Sequence, residues 1–270
     1  MYPAAWQATR RAAWAKLVAA ETHSNLWRRP CRIVEFGVYT GSGMREWLRL
    51  ATAAGMRNCT LVGFDSFEGL PEERPELKYR ADRHNPGWNA GGINTADELG
   101  LYDWNALRSR LISNIADGKR DVDVRLVRGF YNESLVMHGL DTRHLLVEPF
   151  LIDLDCDLYV STMQALRFLL ETRLLRVGGA YVYLDDTNTA QWQARNRPGE
   201  AKALTLAVTR MTAEYGIKWA EVAPLGGRDW RPLLRMQACA KCPIESKRAR
   251  SRFAPGPLSV LSEAFWKYVG

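Results

Sequence analysis

Short apolar runs alternate with longer amphipathic stretches along most of the chain. The runs that predict buried strands lie near 32–36, 59–65, 122–127, 150–154, 180–184, 217–222 and 232–238. Helical periodicity appears between most of them, and strands joined by helices run parallel to one another. A turn at 224–229 separates the last two runs, which predicts an antiparallel hairpin. The sequence therefore predicts an α/β fold: a doubly wound sheet of seven strands, mostly parallel, with a C-terminal antiparallel hairpin.

The fourth predicted strand runs into an acidic end that carries Asp153, Asp155 and Asp157. After one helix, the fifth strand ends in a second acidic pair, Asp185 and Asp186. The two strands of such a unit are parallel, so their carboxyl ends emerge at the same edge of the sheet. Carboxylates gathered there repel each other unless something positive lies among them, and a hard divalent cation is the natural candidate.

The first predicted strand ends in a glycine-rich turn with the spacing E-x-G-x-x-x-G. Glu35, Gly37 and Gly41 form this pattern, and Ser42 begins the helix that follows. Glycine lets the backbone approach a ligand closely, and nucleotide-like cofactors bind at the first turn of a doubly wound fold. The charge of Glu35 would repel a phosphate but suits a cationic cofactor. S-adenosylmethionine, with its sulfonium and amino groups, is such a cofactor.

The second predicted strand ends in Asp65, about thirty residues after the first strand begins. An α/β nucleotide site places a carboxylate there to bind ribose hydroxyls. The alternative is that Asp65 caps the N-terminus of a helix. Together with the glycine turn, its position favours ribose binding.

Two segments lack a clear place in the alternating pattern. Residues 71–100 are rich in proline and glycine without periodicity, and loops of this length are usually lids or binding loops. His84 in this loop is a candidate general base, although a lone histidine in a loop is more often solvated. Residues 1–30 predict a helical N-terminal cap, which covers either a sheet edge or an active site.

The net charge of +7 is concentrated at the two ends of the chain. Residues 1–30 and residues 241–270 each carry +4, so the rest comes to −1. The C-terminal 241–270 segment is a basic extension, and no recognisable nucleic-acid module accompanies either end. We therefore expect no nucleic-acid partner and solvated basic ends. No apolar run reaches about 18 residues and no signal core follows the N-terminus, so we expect a cytoplasmic protein without a membrane partner.

The chain has five cysteines: Cys31, Cys59, Cys156, Cys239 and Cys242. The odd number and the strand-like settings predict reduced, buried thiols. The last two form a lone C-x-x-C pair, and a structural zinc site would need two further ligands that the neighbouring sequence does not offer.

Four segments resemble the macrocin O-methyltransferase family of class I S-adenosylmethionine-dependent methyltransferases. They are VEFGVYTGS at 34–42, GFDSFEGLP at 63–71, DCDLYVST at 155–162, and the stretch from GG to DD at 178–186. The resemblance spans about residues 30–215, and the predicted seven strands with a final hairpin match the Rossmann-like architecture of that class.

The family is known for transferring methyl groups to sugar hydroxyls of macrolide antibiotics. The resemblance implies dependence on a metal, usually Mg²⁺, held by aspartates at the ends of the fourth and fifth strands. By position, the resemblance implies that the metal ligands are Asp155, Asp185 and Asp186. The cofactor-binding residues that it implies are Glu35, Gly37, Gly41, Ser42, Asp65 and Ser66. The sequence departs from the family at 84–86 and at 187–189, which would both face the acceptor, so the acceptor is the least transferable part.

These observations predict one domain, 1–270, that transfers a methyl group from S-adenosylmethionine to a hydroxyl of a sugar or natural-product-like small molecule. A hydroxyl bound to Mg²⁺ has a lowered pKa, and Asp155 is the predicted catalytic residue, as metal ligand and proton acceptor. Asp153 and Asp157 are interpreted locally, as a strand residue and a helix cap.

The alternatives to this function are methyl transfer to a phenolic or catechol acceptor and a non-catalytic binding module. A nicotinamide-dependent enzyme would need G-x-G-x-x-G. Self-association into a homo-oligomer is compatible with the sequence.

Overall fold

The computed structural model describes residues 4–21, 30–74, 89–137, 149–172, 174–175, 179–187, 199–215, 217–222 and 231–238. Several sequence predictions lie outside these residues: the candidate base His84, the Cys239–Cys242 pair, the hairpin turn and the basic C-terminal extension.

One sheet of seven strands forms the centre of the described chain. The strands are β1 (Arg32–Phe36), β2 (Cys59–Asp65), β3 (Val122–Arg128), β4 (Leu151–Leu154), β5 (Tyr181–Leu184), β6 (Ile217–Glu221) and β7 (Leu233–Ala238). The helices are α1 (Ala4–Glu21), α2 (Ser42–Ala53), α3 (Thr95–Leu99), α4 (Trp104–Ala116), α5 (Tyr131–Met137), α6 (Tyr159–Glu171) and α7 (Gly199–Tyr215).

The strand order across the sheet is β3-β2-β1-β4-β5-β7-β6. The pairs from β3 to β5 are parallel, while β7 runs antiparallel to both β5 and β6. The predicted seven-stranded, mostly parallel sheet with a C-terminal antiparallel pair is therefore confirmed. The order reverses between β1 and β4, and ligands of open α/β sheets bind at such a reversal, outside the carboxyl ends of the strands.

Alternation along the strands separates two apolar layers, since successive side chains point to opposite faces. Phe36, Ile152 and Leu154 face the layer that includes residues of α6 and α7. The opposite face carries Leu151 and Tyr183, which pack with residues of α1, α2 and α4. Helix α1 thus contributes Ala13, Trp14 and Leu17 directly to the core.

One cysteine pair contradicts the prediction of reduced thiols. Cys31 and Cys59 form a disulfide at the amino ends of β1 and β2, where the two parallel strands are already joined by the Thr60 N–H to Cys31 carbonyl bond of 2.8 Å. Cys156 is free and buried, as predicted. The sequence placed both cysteines in strand-like settings but did not give the strand register that brings them together.

Among the described helices, none combines the length and the apolar content that crossing a membrane requires.

Candidate active site

A cavity of about 690 Å³ opens at the carboxyl edge of the sheet. Its wall includes residues that follow β1, β2, β4 and β5, so the strand reversal between β1 and β4 lies at its centre. The predicted site residues that line it are Gly37, Asp65, Ser66, Asp155, Asp185 and Asp186. The structure thereby brings the predicted cofactor turn and the predicted metal ligands into one space. Glu35, Gly41 and Ser42 are not among the described residues of its wall.

The glycine turn runs very close to the end of β4. Gly37 has φ +89°, and its N–H donates to the Phe64 carbonyl at 2.9 Å. A Cβ on Gly37 would lie 1.7 Å from the carbonyl oxygen of Asp155. Only glycine fits both the positive φ and this close approach, which is why the cofactor turn and the acidic strand end can share the cavity.

Asp65 holds the glycine turn in shape. Its Oδ2 accepts hydrogen bonds from the Val38 and Tyr39 N–H groups at 2.7 and 2.8 Å, and its Oδ1 accepts one from Phe67 N–H at 2.6 Å. Burial raises the pKa of Asp65, while these backbone donors oppose the shift. In the described chain no helix begins here, so the helix-cap alternative does not apply. The predicted ribose contact remains compatible, because each carboxylate oxygen has two acceptor sites.

Glu35 lies one layer below the turn instead of facing the cavity. Its side chain is 1% exposed, and its Oε1 lies 2.4 Å from where a Cβ on Gly43 would be, in the first turn of α2. Burial, and after it the charge of Asp153, raises the pKa of Glu35 well above its usual value, which favours the neutral carboxyl. The sequence argument that its charge faces a cationic cofactor is therefore not supported by its position.

Three carboxylates converge on the cavity from two strand ends. Asp155, Asp185 and Asp186 each offer one oxygen, and these oxygens lie within 4.8 Å of one another. Burial, and then Asp185, raises the pKa of Asp155 well above its usual value. The same two causes raise the pKa of Asp186 to about 6, with Arg231 opposing them. An all-oxygen donor set facing a cavity fits the requirements of Mg²⁺, so the residues present suit the implied ion.

An arginine that the sequence did not reveal also lies among these acids. Arg10 of α1 donates to Asp185 at 2.8 Å, to Asp155 at 2.9 Å and to Asp153 at 2.9 and 3.2 Å. Burial opposes its charge, but the carboxylates of Asp153, Asp185 and Asp155 outweigh burial, so the pKa of Arg10 is raised. The available signal was its place four positions before Trp14 and three before Ala13, on the apolar side of the first helix.

Asp153 and Asp157 make contacts beyond the strand and helix-cap roles that the sequence predicted for them. Asp153 is fully buried, and its Oδ2 also accepts a hydrogen bond of 2.6 Å from the indole N–H of Trp47. Asp157 was interpreted as the cap of α6, but the N-cap of that helix is Leu158, without a side-chain hydrogen bond. Asp157 instead lines the cavity, and its backbone N–H donates to Asp186 Oδ2 at 2.8 Å. Its positive φ of 61° turns the backbone toward that carboxylate.

The segment that follows β2 forms one wall of the cavity. Leu70 exchanges backbone hydrogen bonds of 2.8 and 2.9 Å with Gly92 and Gly91. The Glu73 carboxylate accepts a bond of 2.7 Å from the Val160 N–H in the first turn of α6. A carboxylate at a helix N-terminus satisfies an unpaired donor and complements the helix dipole. The two described ends of the predicted 71–100 lid are thus tied to the body of the protein beside the cavity.

Comparison with known proteins agrees with this geometry. Residues 28–203 match the family described as macrocin-O-methyltransferase (TylF). A solved structure of CalS11, a calicheamicin methyltransferase, is similar at 20% identity and a TM-score of 0.54, covering 85% of this chain and 77% of that one. The O-methyltransferase NovP is similar at 20% identity and a TM-score of 0.51, covering 84% and 78%. No match was found among curated proteins.

The two solved structures support the fold, and the family match covers more than half of the chain, including the glycine turn and both acidic strand ends. The chain therefore belongs to the macrocin-O-methyltransferase family and is an S-adenosylmethionine-dependent O-methyltransferase.

Proposed function

We propose that this protein methylates a hydroxyl of a sugar or natural-product-like small molecule with assistance from Mg²⁺. The observation that carries the proposal is the shared cavity, which has the glycine turn at one end and the three converging carboxylates at the other. The relatives whose descriptions name macrocin and calicheamicin support a natural-product acceptor.

At the cofactor end, Gly37, Asp65 and Ser66 would contact S-adenosylmethionine from the cavity wall. Glu35, Gly41 and Ser42 would act from beneath by shaping the turn and the start of α2. Gly41 is left-handed with φ +81°, and a Cβ there would clash with Ile115 at 2.5 Å. In this proposal, residues on the cavity side of the turn bind the cofactor, and residues on its buried side hold the turn in shape.

At the acidic end, Asp155, Asp185 and Asp186 would hold the ion. An ion held there would supply Lewis-acid chemistry, which lowers the pKa of the acceptor hydroxyl. Asp155 lines the cavity next to the glycine turn and is the proposed acceptor of the hydroxyl proton. In the transfer, the hydroxyl oxygen would form a bond to the methyl carbon as the bond from that carbon to sulfur breaks, and S-adenosylhomocysteine would leave. The main contribution of the chain is to align oxygen, carbon and sulfur.

Substitution of the three acids tests the proposal. Asp155→Asn, Asp185→Asn and Asp186→Asn each keep the side-chain size but remove a negative oxygen ligand. We expect each to lower Mg²⁺-stimulated methyl transfer by about 100-fold or more, measured with labelled S-adenosylmethionine, while calorimetry still shows cofactor binding. Asp123→Asn is the control, because Asp123 is an exposed acid on β3 paired with Arg125 at 2.6 Å.

Two results would contradict parts of the proposal. Full activity in EDTA would refute the role of the metal, and absence of S-adenosylmethionine binding by the wild-type protein would refute the cofactor. Parallel assays with sugar and catechol acceptors decide between the proposed acceptor and the phenolic alternative. The cytoplasmic location, self-association and a role for His84 stay predictions.

A further inference from the structure

Helix α1 carries a charged residue on its buried face. The Arg10 side chain has 0% exposure, and the next turns of the same face, Ala13, Trp14 and Leu17, belong to the core. A buried charge is costly unless it is paired and hydrogen-bonded. We therefore expect the guanidinium of Arg10 to be paired with specific partners in the core.

The partners are carboxylates from two adjacent strand ends. Arg10 Nη2 contacts one oxygen of Asp155, and Nη1 contacts one oxygen of Asp185. Its Nε and Nη2 both contact Oδ2 of Asp153. The planar guanidinium fixes several donors in one fork, so a single side chain sets the orientation of acids on both β4 and β5.

The rings of Trp47 and Tyr183 enclose the guanidinium. Its central carbon lies 5.8 Å from the centre of the Trp47 ring and 5.3 Å from that of Tyr183. The Tyr183 hydroxyl also donates to Asp185 Oδ1 at 3.0 Å, the same oxygen that Arg10 contacts. This enclosure holds Arg10 in place and limits how far the two carboxylates can turn.

The arginine and the cavity lie on different sides of these carboxylates. Asp155 and Asp185 line the cavity, whereas Arg10 and Asp153 are not among the described residues of its wall. Arg10 therefore approaches from the core side, while the cavity side of Asp155 and Asp185 meets Asp186. Arg10 and Arg231 together offer two positive charges to the four carboxylates of Asp153, Asp155, Asp185 and Asp186, so the arginines alone do not balance the group and a cation remains compatible with it.

The geometry points to Arg10 as a positioning residue: it orients Asp155 and Asp185 for divalent cation binding and couples that site to the docking of helix α1. This inference rests on the proposed metal-assisted reaction. The rival explanation is that Arg10 takes the place of the cation and competes with it. The position of Arg10 behind the cavity wall favours orientation over competition.

The test compares Arg10→Met with Arg11→Met. The first removes the charge but keeps a long apolar side chain, and the second is its matched control on the same helix, since Arg11 is 52% exposed and pairs with Glu46 at 3.4 Å. Calorimetry measures Mg²⁺ binding, and the paramagnetic resonance of Mn²⁺ reports the geometry of its ligands. Both are recorded with S-adenosylhomocysteine present.

We expect Arg10→Met to weaken Mg²⁺ binding by about 10- to 100-fold, as loss of a group that orients metal ligands does. Binding of S-adenosylhomocysteine should change by less than about two-fold, which a general loss of structure would not allow. The Mg²⁺ affinity of Arg10→Lys should lie between those of the wild type and Arg10→Met, because lysine keeps the positive charge but lacks the planar set of donors. Arg11→Met should match the wild type in both measurements.

Where Arg10→Met does not fold, Asp153→Asn replaces it. That variant removes one anchor of Arg10 outside the cavity wall, and we expect Mg²⁺ binding to weaken in the same direction. Unchanged or tighter Mg²⁺ binding in the folded variant overturns the inference, and so does an equal loss of S-adenosylhomocysteine binding. A wild-type protein that binds neither Mg²⁺ nor Mn²⁺ overturns the proposed metal site as well, so the two failures are distinguishable.

Discussion

Glu35 is a buried carboxyl group directly across from another one. The register of β1 and β4 pairs Glu35 with Asp153, and like charges opposite each other in a sheet destabilise it. Burial is the first cause of the raised pKa of Glu35 and Asp153 is the next, while Arg10 opposes both. The folded protein therefore binds a proton at Glu35 under conditions where the unfolded chain has lost it.

This difference predicts how stability depends on pH. A carboxyl group with a raised pKa in the folded state makes unfolding easier as pH rises from its unfolded pKa to its folded pKa. We expect the thermal stability of the wild type to fall more steeply from pH 5 to pH 8 than that of Glu35→Gln, in which the side chain stays neutral. Thermal unfolding across this pH range, followed by circular dichroism, measures both slopes.

Asp121→Asn is the control for this comparison, since Asp121 is an exposed acid directly before β3 and away from the cavity wall. Its stability should follow that of the wild type at every pH. Parallel curves for the wild type and Glu35→Gln would mean that Glu35 is ionised in the folded protein. That outcome would return Glu35 to the sequence interpretation, in which its charge serves a cationic cofactor.

At the scale of elements, the candidate site forms where the glycine turn after β1 passes close to the end of β4. The turn carries the predicted cofactor residues and Asp155 directly follows β4, so the distance between them determines how near a methyl donor would come to the acids. Gly37 makes that closeness achievable, because any Cβ there would overlap the Asp155 carbonyl. The cost of this contact can be measured separately from the cost of the positive φ by comparison with a glycine that has a similar φ but no close neighbour.

Gly37→Ala and Gly55→Ala form such a matched pair. The φ angles are +89° and +86°, but nothing lies within 4 Å of a Cβ on Gly55. We expect Gly55→Ala to cost about 1–2 kcal/mol of unfolding free energy, from the left-handed backbone alone. Gly37→Ala should cost more than about 4 kcal/mol or prevent folding, because the clash is with backbone. Urea unfolding measures both, and similar costs would show that the glycine turn passes less closely to β4 than described.

The elements themselves were largely predictable from local pattern. Apolar runs located all seven strands, and helical periodicity between most of them indicated that helices connect the parallel strands. The convergence of Asp155, Asp185 and Asp186 also followed, because consecutive parallel strands end at one edge. The position of Arg10 did not follow, since its contacts join residues more than 140 positions apart. Which side of a turn a residue such as Glu35 faces depends on packing against α2, and local sequence does not encode it.

At the scale of the whole molecule, the site and the disulfide occupy opposite ends of the sheet. The cavity lies at the carboxyl ends of β1 and β2, and the Cys31–Cys59 bond lies at their amino ends. The sequence did not predict this bond, because strand-like settings favoured buried free thiols and the register that places Cys31 opposite Cys59 is set by packing. A disulfide is uncommon in the reducing cytoplasm, and the cytoplasmic location accordingly stays a prediction.

Because the disulfide lies far from the cavity, we expect its loss to lower stability without changing cofactor binding. The bond closes a loop with a sequence separation of 28, and in the chain-entropy account a loop of this size contributes about 3.6 kcal/mol. We expect a reductant to lower the melting temperature of the wild type by about 5 °C or more, while S-adenosylhomocysteine affinity at 25 °C is unchanged. The Cys31→Ser, Cys59→Ser double variant should melt at the lower temperature with or without reductant. Alkylation of the unfolded chain followed by mass spectrometry of its peptides gives the independent check: Cys31 and Cys59 should be alkylated only after reduction, and alkylation of both without a reductant would refute the bond.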